Sequence, residues 1–382
     1  MNPFPVEDHT IFLTLAGSQA HGTAHEGSDV DLRGVCIAPL SVRLSLFRSF
    51  EQHEGALPAV LAESVRSRIE GHPTAHCALD IKTECVIFDI AKFVGLCAAA
   101  NPNALEILFA DERDWVLETP RWRRLYAERR RFLTKKVKET FHGYALAQLK
   151  KIKTHRAWLL SPPAKKPSRD DFGFSAVSGS GGTLSRDDQN RIEESIAKKI
   201  RSYGIDNIDM PKATRIAVQE RLDALCRDVL ACTDDDVDDR LRAVATHGLE
   251  LPPGVVSVLN AEKKYRAAMK HWDAYQTWKA HRNPARAELE RKYGYDTKHA
   301  MHLIRLMRMG FEVLETKDLR VRRDDADELS AIRDGAMSFE ALLGAANRLQ
   351  GLMDEAARAT TLPDDVDRDE VDGLLAAMLG VS

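Results

Sequence analysis

Two aspartates one residue apart, Asp29 and Asp31, follow a Gly17-Ser18 pair across a loop rich in small residues. Side-by-side carboxylates repel one another unless a cation lies between them. Mg²⁺ suits such a site, with Mn²⁺ the alternative, because it takes oxygen ligands and shares its shell with substrate phosphates. Two such ions would bind a nucleoside triphosphate, activate an attacking hydroxyl and neutralise the departing pyrophosphate. Gly17 has no Cβ to keep a ligand away from the backbone. Ser18 and the amides after it can donate to phosphate oxygens, more so if the turn opens a helix.

The elements that must position these groups are readable around them. Residues 11–16 form a short apolar run of β-formers and are expected as a buried strand. Gly22-Thr23 and Gly27-Ser28 punctuate a return loop, and residues 28–38 read as a second strand. Positions i and i+2 of a strand share a face, so Asp29 and Asp31 project together while Val30 and Leu32 point into the core. Residues 82–88 have β character, and Asp89 is placed to cap the helix after them. Asn101 and Pro102 separate that helix from the next. The expected fold class is α+β: a mixed sheet flanked by helices over 1–118, then a mostly helical region over 119–382 with a mobile loop at 161–188. In the later region, residues 261–292 read as one long charged helix, followed by a helix capped by Asp296 and stopped by Gly310. On that second helix Lys298, His302, Arg305 and Met309 share one face. Such a cationic stripe on a half-buried helix needs an anion or a carboxylate opposite it.

The form Gly17-Ser18, His21-Gly22-Thr23, Ser28-Asp29-Val30-Asp31-Leu32-Arg33-Gly34 resembles the DNA polymerase β-type nucleotidyltransferase superfamily. Within it, the pattern is similar to a bacterial and phage branch, some members of which are encoded beside RNA-repair genes. The resemblance extends to Lys92-Phe93 with Asn101-Pro102-Asn103 and Leu105-Glu106, and to a third stretch from Lys263 to about Leu349. It implies a polymerase-β-like catalytic domain, and a third carboxylate on a neighbouring strand. Glu84 is the favoured candidate and Asp80 the alternative, although the family more often has Asp at this place. The resemblance also implies an accessory helical domain that lends basic groups to the triphosphate, a role that falls on Lys298, His302 and Arg305. Glu106 is expected at the surface or in a cap.

Bulk properties are consistent with this reading. The 382 residues carry a net charge of only −3, so there is no global basic signal for nucleic acid. Between Arg121 and Arg156, however, thirteen Lys and Arg stand against two Glu, interleaved with aromatic residues, a pattern that can track a phosphate backbone. None of the six cysteines is spaced as Cys-x-x-Cys, no apolar run reaches membrane-spanning length, and the start lacks a signal-peptide pattern, so a cytoplasmic location is expected. The function expected is transfer of a nucleoside monophosphate, with ATP the first donor to consider, to an acceptor hydroxyl such as an RNA or tRNA end. A protein hydroxyl, a small molecule or a second nucleotide are alternative acceptors. A nucleotide- or RNA-binding protein without catalysis is the alternative of another class.

Overall fold

The computed structural model describes residues 3–25, 27–70, 83–173, 186–202, 204–205, 211–231 and 253–381. Five strands, β1 Thr10–Ala16, β2 Val30–Cys36, β3 Gln52–Gly55, β4 Thr83–Asp89 and β5 Trp115–Glu118, form one mixed sheet in the order β3-β4-β2-β1-β5. Only β2 and β4 run parallel. Helices in the first part of the chain are α1 Gly17–His21, α2 Leu40–Arg43, α3 Ala59–Glu70, α4 Ile90–Ala98, α5 Pro102–Leu108, α6 Pro120–Ala127 and α7 Val137–Leu160. Then come α8 Arg186–Ser202, α9 Lys212–Ala231 and α10 Pro253–Ala280. The chain closes with α11 Pro284–Tyr293, α12 Thr297–Thr316, α13 Ala326–Arg333, α14 Phe339–Ala359 and α15 Arg368–Leu379.

Period-two alternation divides the sheet between two cores. Leu13, Leu15, Val30, Leu32, Cys85 and Ile87 point to one face and pack with Leu61 and Val65 of α3. Phe12 and Val35 point to the other, where they join a larger core with Phe93, Trp122, Phe141 and the apolar side of α12. Phe12 stacks on Trp122 with ring centroids 3.7 Å apart. Asp89 caps α4 by accepting from the Ala91 amide, and Asn101 caps α5 by accepting from the Asn103 amide, with Pro102 in its first turn.

By their internal contacts, residues 1–160 and 284–382 make one compact unit and residues 161–283 a second. In the first unit α12 is the central helix, packed along α7 and against α13 and α14. The second unit holds α8, α9 and α10, and within it Arg169 pairs with Glu262 at 3.0 Å. Of the segment 161–188 expected to be a loop, residues 174–185 lie outside the described residues; a short turn at Arg169–Phe172 precedes them and α8 already begins at Arg186.

Three local expectations are corrected. Gly310 does not end its helix: α12 continues to Thr316, where Lys317 adopts the left-handed cap at φ 58°. Gly310 is instead a point of close approach, since a Cβ there would meet Met353 Cε at 2.8 Å and Phe141 Cβ at 2.9 Å. The stretch 261–292 is two helices, broken before Pro284, whose ring and missing N–H cannot continue the preceding turn. Two edge strands, β3 and β5, have no counterpart in the expected order; both are four residues long, and β3 is built from Gln, His, Glu and Gly.

Candidate active site

The ends of β1, β2 and β4 meet at the Gly17 turn. Ala16, the last residue of β1, is the register partner of Asp31 on β2. In the parallel pair on the other side, Asp31 is the partner of Glu84 on β4. Asp31 and Glu84 therefore stand side by side on one face, contributed by strands distant in sequence. Asp29 lies just before β2 and is exposed, while Val30 and Leu32 are buried. Asp80 lies outside the described residues. Gly17 has φ +59°, and a Cβ there would collide with Oδ2 of Asp31. The turn thus needs glycine twice over, for its left-handed backbone and for the carboxylate lying against it. Burial raises the pKa of Asp31; Arg33 opposes the rise, and Glu84 and Asp29 add to it. The three acids repel one another and call for a cation.

Arg33, two residues beyond Asp31 on the same face, supplies a positive charge. Its Nη2 is 3.2 Å from Glu84 Oε1 and 3.7 Å from Asp31 Oδ1, and its Nη1 donates to the Leu32 carbonyl at 2.9 Å. Arg33 belongs to the Asp29-Val30-Asp31-Leu32-Arg33 motif, and its i+2 spacing from Asp31 is the sequence signal for this contact.

These groups line a cleft of about 380 Å³ that also takes in Gly17, Glu106, His302 and Arg305. Ser18, on the first turn of α1, is half-buried. Lys298 is exposed, and the carboxylates acting on it are Asp29 and Asp31. Partial desolvation lowers its pKa, and the guanidinium groups of Arg286 and Arg333 lower it further. Arg333 reaches the Thr23 carbonyl at 3.5 Å, placing another cation beside the Gly22-Thr23 turn. Burial, reinforced by Arg305, depresses His302 to about 2, so its imidazole is neutral.

Arg305 is only 5% exposed. It donates to Glu106 and lies 2.9 Å from Nε2 of His21, which is itself 3.0 Å from Glu106. Glu106 is thus neither a surface group nor a cap, but the buried counter-charge to the cationic stripe of α12. Burial would raise its pKa, yet Arg305 and His21 outweigh burial and hold it well below the usual carboxylate range. Nε of Arg305 is buried without an acceptor among the described residues. Arg322 further braces α1, donating to the Gln19 carbonyl at 3.3 Å and to Asp114 at 2.8 Å.

Asp29, Asp31 and Glu84 offer only hard oxygen donors, a donor chemistry that fits Mg²⁺ or Mn²⁺, with Asp31 and Glu84 adjacent in register. Among the described residues, the group that brings three donor atoms within 4.8 Å of one another is instead His155, Asp296 and His299. There Arg286 already engages the fully buried Asp296, which also caps α12 through the His299 amide. That cluster is a charge-satisfied network joining α7, α11 and α12.

The basic segment is largely committed to acids within its own unit. Arg123 pairs with Glu112 and Glu118, Arg130 with Asp318, Arg131 with Glu128 and Glu370, Lys135 with Asp364 and Lys138 with Asp354. Lys150, Lys151 and Lys153 remain exposed on α7. Cys36, Cys85 and Cys97 are buried free thiols. Among the described residues no helix is long and apolar enough to cross a membrane.

Residues 5–159 match the family model RlaP, described as the RNA repair pathway DNA polymerase beta family, a polymerase β-type nucleotidyltransferase family. The match spans all five strands and ends at the close of α7. Comparison with curated proteins and with solved structures finds no match.

Proposed function

We propose, taking the nucleotidyltransferase match of residues 5–159 as the premise, that this chain moves a nucleoside monophosphate from a nucleoside triphosphate to an acceptor hydroxyl and releases pyrophosphate. The observation that carries the reading is the register of Asp31 beside Glu84, at the mouth of a turn whose Gly17 leaves no room for a side chain. Asp29, Asp31 and Glu84 would hold divalent ions, Mg²⁺ or Mn²⁺. When bound, such ions would neutralise charge on the triphosphate and acidify the attacking hydroxyl.

The chain's own groups do the rest. Glu84, more exposed than Asp31, would accept the acceptor's proton. Gly17 and Ser18 present the α1 turn to the terminal phosphates. Lys298, with Arg333 beside it, adds positive charge across from Asp29 and Asp31. His302 and Arg305 close the wall of the cleft; the neutral imidazole of His302 would hydrogen-bond the nucleotide, and the unused Nε of Arg305 is a donor for a phosphate oxygen.

We take an RNA end, tRNA among the candidates, as the acceptor, on the strength of the family's RNA-repair description and of Lys150, Lys151 and Lys153 on α7. A second reading, in which a protein hydroxyl or a small molecule is the acceptor, gains from the pairing of much of the 121–138 basic segment with acids. One assay separates them: incubation with labelled ATP, CTP, GTP or UTP and Mg²⁺, with and without total tRNA. A lengthened tRNA supports the first reading, while label on protein or in a new small species supports the second. D31N should lose pyrophosphate release while still folding. Full activity in D31N would sink the proposal in either form.

A further inference from the structure

Among the described residues, Arg33 is the cation in ion-pair contact with Asp31 and Glu84, two of the carboxylates proposed to hold metal. Its Nη2 lies 3.2 Å from Glu84 and 3.7 Å from Asp31, and its other terminal nitrogen is tied to the Leu32 carbonyl. The Arg33 side chain is 25% exposed and that of Glu84 52%, so the pair faces the open cleft. Arg33 lines the same cleft as Gly17, His302 and Arg305. A guanidinium and a divalent ion cannot both lie between the same two carboxylates, because each would compete for the same oxygen lone pairs and repel the other.

We propose that Arg33 is a resident counter-cation of the carboxylate centre: it spans Asp31 and Glu84 and competes with a divalent ion for their oxygens, giving way to the ion on loading. The inference rests on the reading of Asp31 and Glu84 as metal ligands and adds a regulation of that site. Arg33 offsets the repulsion between the two acids. It also sets a threshold, since metal must displace a bound positive charge to enter. Once displaced, the guanidinium remains inside the cleft, on the side where the triphosphate would lie. A nucleotide bringing negative charge would give it a new partner and so lower the threshold. Metal and nucleotide would then bind with positive cooperativity through one side chain.

The test is Mn²⁺ binding followed by electron paramagnetic resonance of the free ion, without nucleotide, on wild type, R33Q, R33K and D31N. Removing a unit charge about 4 Å from the metal site should tighten Mn²⁺ binding by R33Q at least about fivefold. R33K, which retains the charge, should stay near wild type. An R33Q affinity equal to or weaker than wild type overturns the inference. D31N should weaken Mn²⁺ binding; if D31N binds as wild type, the metal-ligand reading itself fails, a different outcome from failure at Arg33 alone. Should R33Q not fold, the wild type decides through the side-chain NMR signal of Arg33. That signal should shift as Mg²⁺ saturates the protein, and a signal unmoved at saturation overturns the exchange.

Discussion

Replacing Glu106 by Gln tests the buried charge arrangement behind the cleft. Arg305 is 5% exposed and the Glu106 side chain 14%, so neither charge is well hydrated. Gln keeps the shape and one acceptor oxygen but leaves the guanidinium without its counter-charge. Removing one partner of a buried pair costs about 3–5 kcal/mol, against about 0–1 kcal/mol for an exposed pair. With Glu106 partly reached by solvent, the lower end, about 3 kcal/mol, is expected. The measurement is urea unfolding of wild type, E106Q, R305M and the double variant, followed by tryptophan fluorescence. The double variant should be markedly more stable than the sum of the single losses predicts. The pH dependence carries a second constraint. A carboxylate whose folded pKa is depressed contributes its full stabilisation above its unfolded value and loses it only as pH falls through the folded one. Glu106 is depressed by Arg305 and His21 against its burial. The gap between wild type and E106Q should therefore stay constant from pH 8 to about 5 and close only in stronger acid. A loss under about 1 kcal/mol, or a gap that closes near pH 6, would refute the buried-pair argument.

Three further outcomes follow from the packing and the histidines. G310A should lose about 1–3 kcal/mol in chemical denaturation, because the added methyl must displace Met353 and Phe141. G17A should lose about 1–2 kcal/mol from its left-handed backbone and, by pushing on Asp31, should also weaken Mn²⁺ binding in a direct titration. Wild-type stability should fall as pH drops below about 6.5, since the unfolded chain takes up protons that His302, held at about 2, and His299, held at about 4 by burial, refuse. H302Q should flatten that decline in a pH series of thermal melts, and an unchanged slope would show that His302 does not titrate as described.

What the sequence made legible was local chemistry and strong periodicity. The β1 turn, the β2 strand with its in–out alternation, the Asp89, Asn101 and Asp296 caps, and the spacing of Lys298, His302 and Arg305 are all properties of a few neighbouring residues. The register of Asp31 with Glu84 is not local: it depends on a parallel pairing across the sheet, which the sequence could only approach by resemblance. β3 escaped because a four-residue polar edge strand carries almost no alternation signal. A glycine near an apparent helix end looks like a stop, but the reason for Gly310 is the approach of Phe141 from another helix. The basic run at 121–138 looked like a nucleic-acid face because the acids that neutralise it, at 318, 354, 364 and 370, lie far along the chain.

The sheet-bearing unit is discontinuous: the chain leaves it at Leu160 and returns at Pro284. Exit and return are neighbours, for Arg156 near the end of α7 donates to the Gly294 carbonyl after α11 at 2.7 Å. Residues 161–283 are thus topologically an insertion within the first unit rather than an appendage to its end. Loop-closure entropy makes such an insertion tolerant of length, since each doubling of a loop adds only about 0.6 kcal/mol. The fold can be shortened in its middle more safely than at its end. A fragment stopping at residue 159 would strip α12 from its seat on α7, together with the Arg305 that answers Glu106, and would uncover the apolar floor between them.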